Sequence, residues 1–445
     1  MKKITRRNFL LAAGVAASAA ALAGCGAASS AAASSTAASS AAASSSAASA
    51  APVTLNIYAQ YADDDTKVPY DYAVKELAAA YPNVTLNLIV QAQDDGTTLK
   101  TLAATGKLPD IFQANTDIIS TLRETNQVMV LNDVAKSSGY LDKLYDSDKD
   151  LAYADDGNIY AFPYAGQEYV LWYYNKAVFA DAGVEVPQTY DDLKKCIAAF
   201  QAKSVTPMAL FGKEGWITTA MYDVVATRYT AGGIRALDEK KANIADEAYV
   251  SAAKTLEDLT KTGMFQTDVT TTNYDQASEL FLSGKSAMFL NGQWYIEDAT
   301  KALGDNVDWM YYPAQDADSY TKGRTAFSGG GSTSGYAVNP DGENAQLAAE
   351  VAEFITEKYC EAKVMYRHNP LVALNTGAKS EDALPAMMQK LSDAIPTISS
   401  TTKFTWGLTN AVFNDGIQTE TQGLVSGQYS ADEFIADMTD VMSQM

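Results

Sequence analysis

The sequence predicts an α/β protein in two lobes, joined by hinge strands around a central cleft, and three observations carry this. About 390 residues follow Pro52, too many for one hydrophobic core and enough for two of ordinary size. Residues 53–59, 70–81 and 84–90 read as strand, helix and strand, the unit from which layered α/β sheets are built. Residues 155–164 and 168–176 place extended runs on either side of Pro163, as a chain does when it passes from one body to another.

The leader comes before any of this. Arg6-Arg7-Asn8-Phe9-Leu10 opens an apolar, Ala-rich run to Leu22, a basic region followed by a stretch too short to span a bilayer. It reads as a signal peptide over 1–24, and the paired arginines favour the twin-arginine route, although general-secretion signals also carry two basic residues. Leu22-Ala23-Gly24-Cys25 resembles a bacterial lipobox, which implies a lipid on Cys25 and a membrane anchor. Residues 25–52 are then almost wholly Ala and Ser up to Pro52, with no apolar periodicity to pack. They read as a tether with an end-to-end distance of roughly 30 Å.

Charge and rare residues exclude whole classes. The leader holds four of the 33 basic residues and none of the 54 acids, so 29 against 54 leaves a charge near −25. Such a surface repels nucleic acid and anionic lipid. His368 is the single histidine, which removes histidine triads and histidine-rich zinc sites. Cys196 and Cys360 lie in helical patterns without a Cys-x-x-Cys and read as buried free thiols. No cofactor or metal is expected, and the chain is expected to be a monomer.

The elements follow in order. After the strand 53–59 comes a polar loop, 60–67, then the helix 70–81 with apolar Ala73, Val74, Leu77 and Ala80 on one face, and Pro82-Asn83 before the strand 84–90. Residues 99–104 are helical, Pro109-Asp110-Ile111-Phe112 enters a buried strand, and Asp117 lies in the loop beyond. Ligands of open α/β sheets sit beyond the carboxyl ends of strands, so loops 61–65 and 114–117 face the expected cleft. Helix 192–201, strand 207–211, glycine loop 212–216, helices 218–229, 248–260 and 274–283, and strand 285–290 follow. Residues 335–339 read as a second crossing strand, 344–359 as a helix, 370–374 as a third crossing, and 404–426 and 431–442 as closing helices.

Several of these stretches carry a resemblance. Ile159-Tyr160-Ala161-Phe162-Pro163 with Tyr174-Asn175-Lys176, and above all Phe281-Leu282-Ser283-Gly284-Lys285-Ser286-Ala287-Met288 with Gly292 and Trp294, resemble the family 1 extracellular solute-binding proteins of sugar ABC transporters. The resemblance implies a periplasmic-binding-protein-like fold, with 53–163 plus 334–375 as one lobe and 164–333 plus 376–445 as the other. It implies a carbohydrate ligand and an ABC transporter permease as partners.

A sugar offers hydroxyls to planar polar groups and a ring face to aromatic side chains, so tryptophans on loops beside carboxylates are the candidates. Trp216, Trp294 and Trp406 fit that description and match, by resemblance, the stacking aromatics of maltodextrin binders. Trp172 and Trp309 read as core. Asp117 and Glu168 match positions that bond sugar hydroxyls in the same proteins, each with an equal claim as a surface acid or helix cap. Tyr61 and Asp64 follow from the first loop, and Gly330 from a glycine run able to bring backbone N–H groups to a ligand or to serve as a hinge. Where maltodextrin binders carry an aromatic this chain has Ala114. An exported carbohydrate-active enzyme using paired carboxylates, or a binder of a polyamine, peptide or metal ion on the same fold, are the other readings, with scarce histidine against most metals.

Overall fold

The computed structural model describes residues 51–445 apart from 93, 95, 147, 332 and 333. The leader, the Cys25 lipobox and nearly all of the tether therefore lie outside the described residues. Alternating Val53–Ala59 forms β1, which pairs in parallel with β2 (Val84–Val90) along its whole length. β3 (Ile111–Asn115) joins its other side, β4 (Ala161–Pro163) lies at the far edge, and β10 (Ser334–Val338) runs antiparallel between β3 and β4. The order is β2-β1-β3-β10-β4. Because side chains alternate along a strand, Leu55 and Ile57 meet Ala73 and Leu77 of helix Asp64–Ala80 and Ile355 of helix Ala345–Tyr366 on one face. Tyr58 and Phe112 meet Leu99 and Leu122 on the other.

The chain then builds a second sheet, in the order β6-β7-β5-β8, from β5 (Val170–Asn175), β6 (Thr206–Ala209), β7 (Ser286–Gly292) and β8 (Val307–Met310). β5 lies inside, antiparallel to both neighbours, which accounts for its unbroken apolar run Val170-Leu171-Trp172-Tyr173. Helix Gly215–Ala226 is buried nearly all round between helices Glu247–Lys261 and Ala411–Val425, and Trp216 is its one half-exposed residue. A short parallel pair, β9 (Ala326–Phe327) with β11 (Ser400–Thr401), ties the closing segment to this lobe.

Several element readings need correction. The polar loop 60–67 is mostly helix: Asp63 caps Thr66 N–H while the Thr66 hydroxyl returns to the Asp63 backbone, so the helix starts at Asp64 and runs through Pro69. The segment 404–426 is a 3-10 turn, Thr405–Gly407, before helix Ala411–Val425. Pro370, which has no N–H to donate, precedes two isolated bridges, Ala165–Val372 and Leu144–Leu374, in place of a strand ladder. Helix 344–359 extends to Tyr366, which carries Lys363 to the edge of the site. Cys196 and Cys360 are buried free thiols, and no described helix is long and apolar enough to cross a membrane.

Candidate functional site

Three of the five tryptophans converge. Trp294 sits on the turn Gln293–Tyr295 where β7 ends, Trp216 at the start of helix Gly215–Ala226, and Trp406 on the turn Thr405–Gly407. Their ring centroids lie 5.4 Å (Trp216–Trp406), 5.9 Å (Trp216–Trp294) and 6.1 Å (Trp294–Trp406) apart, and each ring is half-buried. Phe404 completes the group. It is buried and stacks on Trp406 at 4.4 Å and 5° between planes, so it covers one face of that indole. Gly292 lies beneath Trp294: a Cβ there would fall 2.3 Å from the ring.

The other two tryptophans behave as core. Trp172 and Trp309 are 1% and 0% exposed, and their N–H groups point at the Met288 sulfur (3.3 Å) and the Met387 carbonyl (3.0 Å). In the convergent group Trp216 has an internal acceptor, Glu214 Oε2 at 3.1 Å. Among the described residues the N–H groups of Trp294 and Trp406 have none, so their donors are available to a guest.

Three helix ends bring charges from both lobes together. Asp65 opens helix Asp64–Ala80, Lys363 and Arg367 close helix Ala345–Tyr366, and Glu297 and Asp298 open helix Ile296–Leu303, so each charge complements its own helix dipole. Lys363 pairs with Asp65, and Arg367 lies 3.5 Å from Asp65 and 2.6 Å from Asp298, bridging the lobes. His368 Nδ1 is 3.0 Å from Glu297 and Lys301 Nζ is 3.4 Å from Asp64. Burial raises the Asp298 carboxyl against the opposing pull of Arg367, and raises Asp63 as well.

Glu168, on the connection from β4 to β5, faces this network. Burial pushes its carboxyl up to about 7, Lys363 and the Gln293 amide pull it down, and Asp65 raises it further. It makes no ion pair among the described residues. Gln293 itself is buried and accepts from Tyr169 N–H at 2.8 Å, which fixes the start of β5 to the turn that carries Trp294.

The remaining candidates are placed differently. Asp117 lies in the first turn of helix Thr116–Glu124, 2.8 Å from Lys100 Nζ, and that helix touches the Trp406 turn. Asp64 is exposed and engaged by Lys301. Tyr61 donates its hydroxyl to Asp71 at 3.0 Å and packs edge-on against Tyr70, within its own lobe. Gly330 has φ 150°, and a Cβ there would lie 2.5 Å from the Thr402 carbonyl, so its glycine serves a close backbone approach. Phe404, Asp65, Lys363, Arg367, Asp298 and Gln293 are the residues sequence reasoning missed. A basic pair four residues apart at a helix end and an acidic run at a helix start were the available signals. Among the described residues no three His, Cys, Asp or Glu side chains are grouped to hold a metal ion.

Two α/β lobes joined in this way define the class, a two-lobed protein of the periplasmic-binding kind. The chain belongs to the bacterial extracellular solute-binding protein family, whose model matches residues 63–358. It is 25% identical over 207 residues to a multiple sugar-binding protein of Streptococcus mutans, covering 45% of this chain and 48% of that one. The chain spans about half the length of the curated relatives it matches. Among solved structures it superposes on a protein described in a study of xylan utilization by Caldanaerobius polysaccharolyticus, with TM-score 0.77 and 22% identity over 87% of this chain and 99% of that chain. A chitin oligosaccharide binding protein gives TM-score 0.76 and 22% identity over 88% and 98%. These two likenesses establish the fold.

Proposed function

We propose that this chain captures a carbohydrate, an oligosaccharide, outside the cytoplasm and delivers it to the permease of an ABC importer, acting as a monomer held to the membrane by a lipid on Cys25. The lobes are 53–163 with 334–375 and 164–333 with 376–445. The observation that carries the reading is the convergence of Trp216, Trp294 and Trp406, each half-exposed, two of them with indole donors that have no acceptor among the described residues, in a protein whose lobes are joined by a charged network. A pyranose stacks on the indole faces, and Glu168 and Asp117 accept from its hydroxyls. Closing the lobes on the guest is a population shift whose cost is subtracted from those contacts. The relatives named above point the same way, since the curated one is a sugar-binding protein and one solved structure binds chitin oligosaccharide.

A cationic solute such as a polyamine is the second reading, because Glu168 has no ion partner among the described residues and a cation can also lie against aromatic rings. Lys363 and Arg367 at the same place oppose it. Thermal unfolding of the mature protein against mono- and oligosaccharides, putrescine and spermidine tests both, since only a guest bound by the folded state raises the midpoint. A rise with a saccharide supports the proposal. A rise with the amines alone overturns it, as does release of shortened saccharide products, which would make the protein an enzyme.

A further inference from the structure

Asp223 lies two turns after Trp216 on the same helix, Gly215–Ala226, with no exposed surface and, among the described residues, no cation within ion-pair distance. A carboxylate so placed is costly unless hydrogen bonds satisfy it. Its Oδ1 accepts from Ile234 N–H at 2.8 Å and its Oδ2 from the Thr402 hydroxyl at 2.5 Å. The chain comes this close at Gly233, where a Cβ would stand 2.2 Å from Oδ1. Burial pushes the carboxyl up to about 6, while hydrogen bonds from Ser328, Thr402 and Ile234 and the Arg228 charge hold it down, so it is ionised at neutral pH.

The bonds continue toward the aromatic group. Thr402 Oγ1 accepts from Gly329 N–H at 3.1 Å. A backbone N–H can only donate, so the hydroxyl passes its own hydrogen to Asp223 and the series ends on the carboxylate. Gly329 has φ 98°, and a Cβ there would lie 2.7 Å from the Glu168 carbonyl oxygen and 2.8 Å from Phe404 Cε2. Its backbone is therefore held between Glu168 and the ring that stacks on Trp406. Tyr169 bridges to the same glycine, and Thr402 stands two residues before Phe404. One hydroxyl thus joins the helix of Trp216, the connection that carries Glu168 and the turn that carries Trp406.

We infer that Asp223, which touches no guest, is a positioning residue for binding: through Thr402 and Gly329 it sets Glu168 and the Phe404–Trp406 stack in place relative to Trp216. The inference rests on the carbohydrate reading above. A carboxylate that only stabilised the second lobe would, when removed, lower the unfolding midpoint and leave the folded protein's affinity and indole packing as they were.

The test is calorimetric titration with the saccharide that the thermal screen selects, on the mature protein and on Thr402→Val, Thr402→Ser and Asp223→Asn, each well below its own unfolding midpoint. Near-ultraviolet circular dichroism of the unliganded proteins reads the packing of the indoles beside it. Thr402→Val keeps the size of the side chain and removes both of its hydrogen bonds, whereas Thr402→Ser keeps them. Thr402→Val and Asp223→Asn should bind at least about tenfold more weakly with an altered indole spectrum, and Thr402→Ser should stay within about twofold of wild type with an unaltered one. If Asp223→Asn fails to fold, Thr402→Val decides. Affinity within about twofold of wild type in folded Thr402→Val, whatever its midpoint, overturns the positioning role and leaves the carbohydrate reading intact, as does a loss in Thr402→Ser equal to that in Thr402→Val. If the wild type binds no saccharide at all, that reading falls and the inference with it.

Discussion

Trp294 offers a direct test of the proposed stacking, because its ring can be removed or displaced by separate substitutions. Trp294→Ala deletes an indole whose centroid lies 5.6 Å from Phe404, 5.9 Å from Trp216 and 6.1 Å from Trp406. Loss of one ring face against a pyranose is worth about 1.4 kcal/mol or more, so the dissociation constant should rise at least about tenfold. The lost ring contacts also lower stability, by about 1–3 kcal/mol. Gly292→Ala keeps the indole but forces it aside, since the added Cβ would stand 2.3–2.4 Å from three of its ring carbons. At φ −76° the backbone at 292 accepts alanine without strain, so the effect there is purely steric. Calorimetric affinity for the saccharide selected by the thermal screen, read beside urea unfolding, separates the two contributions. Trp309→Phe, a core change, should lower stability and leave affinity alone. If both Trp294→Ala and Gly292→Ala bind within about twofold of wild type, the indole is packing only and the stacking argument is wrong.

Three further outcomes follow from the charged groups. Burial holds Glu168 up to about 7 while an unfolded glutamate titrates near 4.5, so on raising the pH the unfolded chain loses this proton first and stability falls across that window. Glu168→Gln should therefore gain on wild type, by on the order of 1–2 kcal/mol between about pH 5 and pH 8 once partial exposure is allowed for; unfolding midpoints at the two pH values check it, and parallel curves would refute it. Arg367→Leu leaves buried Asp65 without one of its two cations and Asp298 without its own, and should cost about 3 kcal/mol, whereas Lys301→Ala breaks an exposed pair and should cost under about 0.5 kcal/mol, both read from urea midpoints. Asp223 is fully buried and accepts from Ile234 N–H at 2.8 Å and the Thr402 hydroxyl at 2.5 Å. Asp223→Ala strands both donors and should cost about 3 kcal/mol or more by the same measurement.

What could be read from the sequence divides along a physical line. Periodicity is local, so β1, the following helix and β2 were legible, and so was β5, whose apolar run reflects burial on both faces. Core and loop tryptophans could be told apart because a strand interior and a turn after a strand end give different neighbours. Ion partners could not be read. Asp65 and Lys363 are 298 positions apart, and nothing in either local sequence specifies that two helix ends will meet. Phe404 was missed for a related reason: as a single aromatic before Thr405-Trp406 it reads as one more apolar residue, and only the folded turn shows it stacked beneath Trp406. The helix start at Asp64 was in principle readable from Asp63 and Thr66, three apart, but Pro69 argued against a helix there.

The stretch with the most specific resemblance, 281–294, is also the one on which physical demands are densest. Phe281 is wholly buried, and Gly284 ends its helix at φ +70°, a region costly for other residues. Buried Ser286 accepts from Ala209 N–H and donates to the Met288 carbonyl, both at 2.8 Å, locking β6 to β7. Met288 faces the Trp172 indole, Gly292 is the shelf under Trp294, and Gln293 pins β5. Substitution at any of these positions meets a buried surface, a positive φ, a paired hydroxyl or a ring. The same strand leads into the helix that carries Asp298 to Arg367, so β7 couples the aromatic group to the charges that join the lobes.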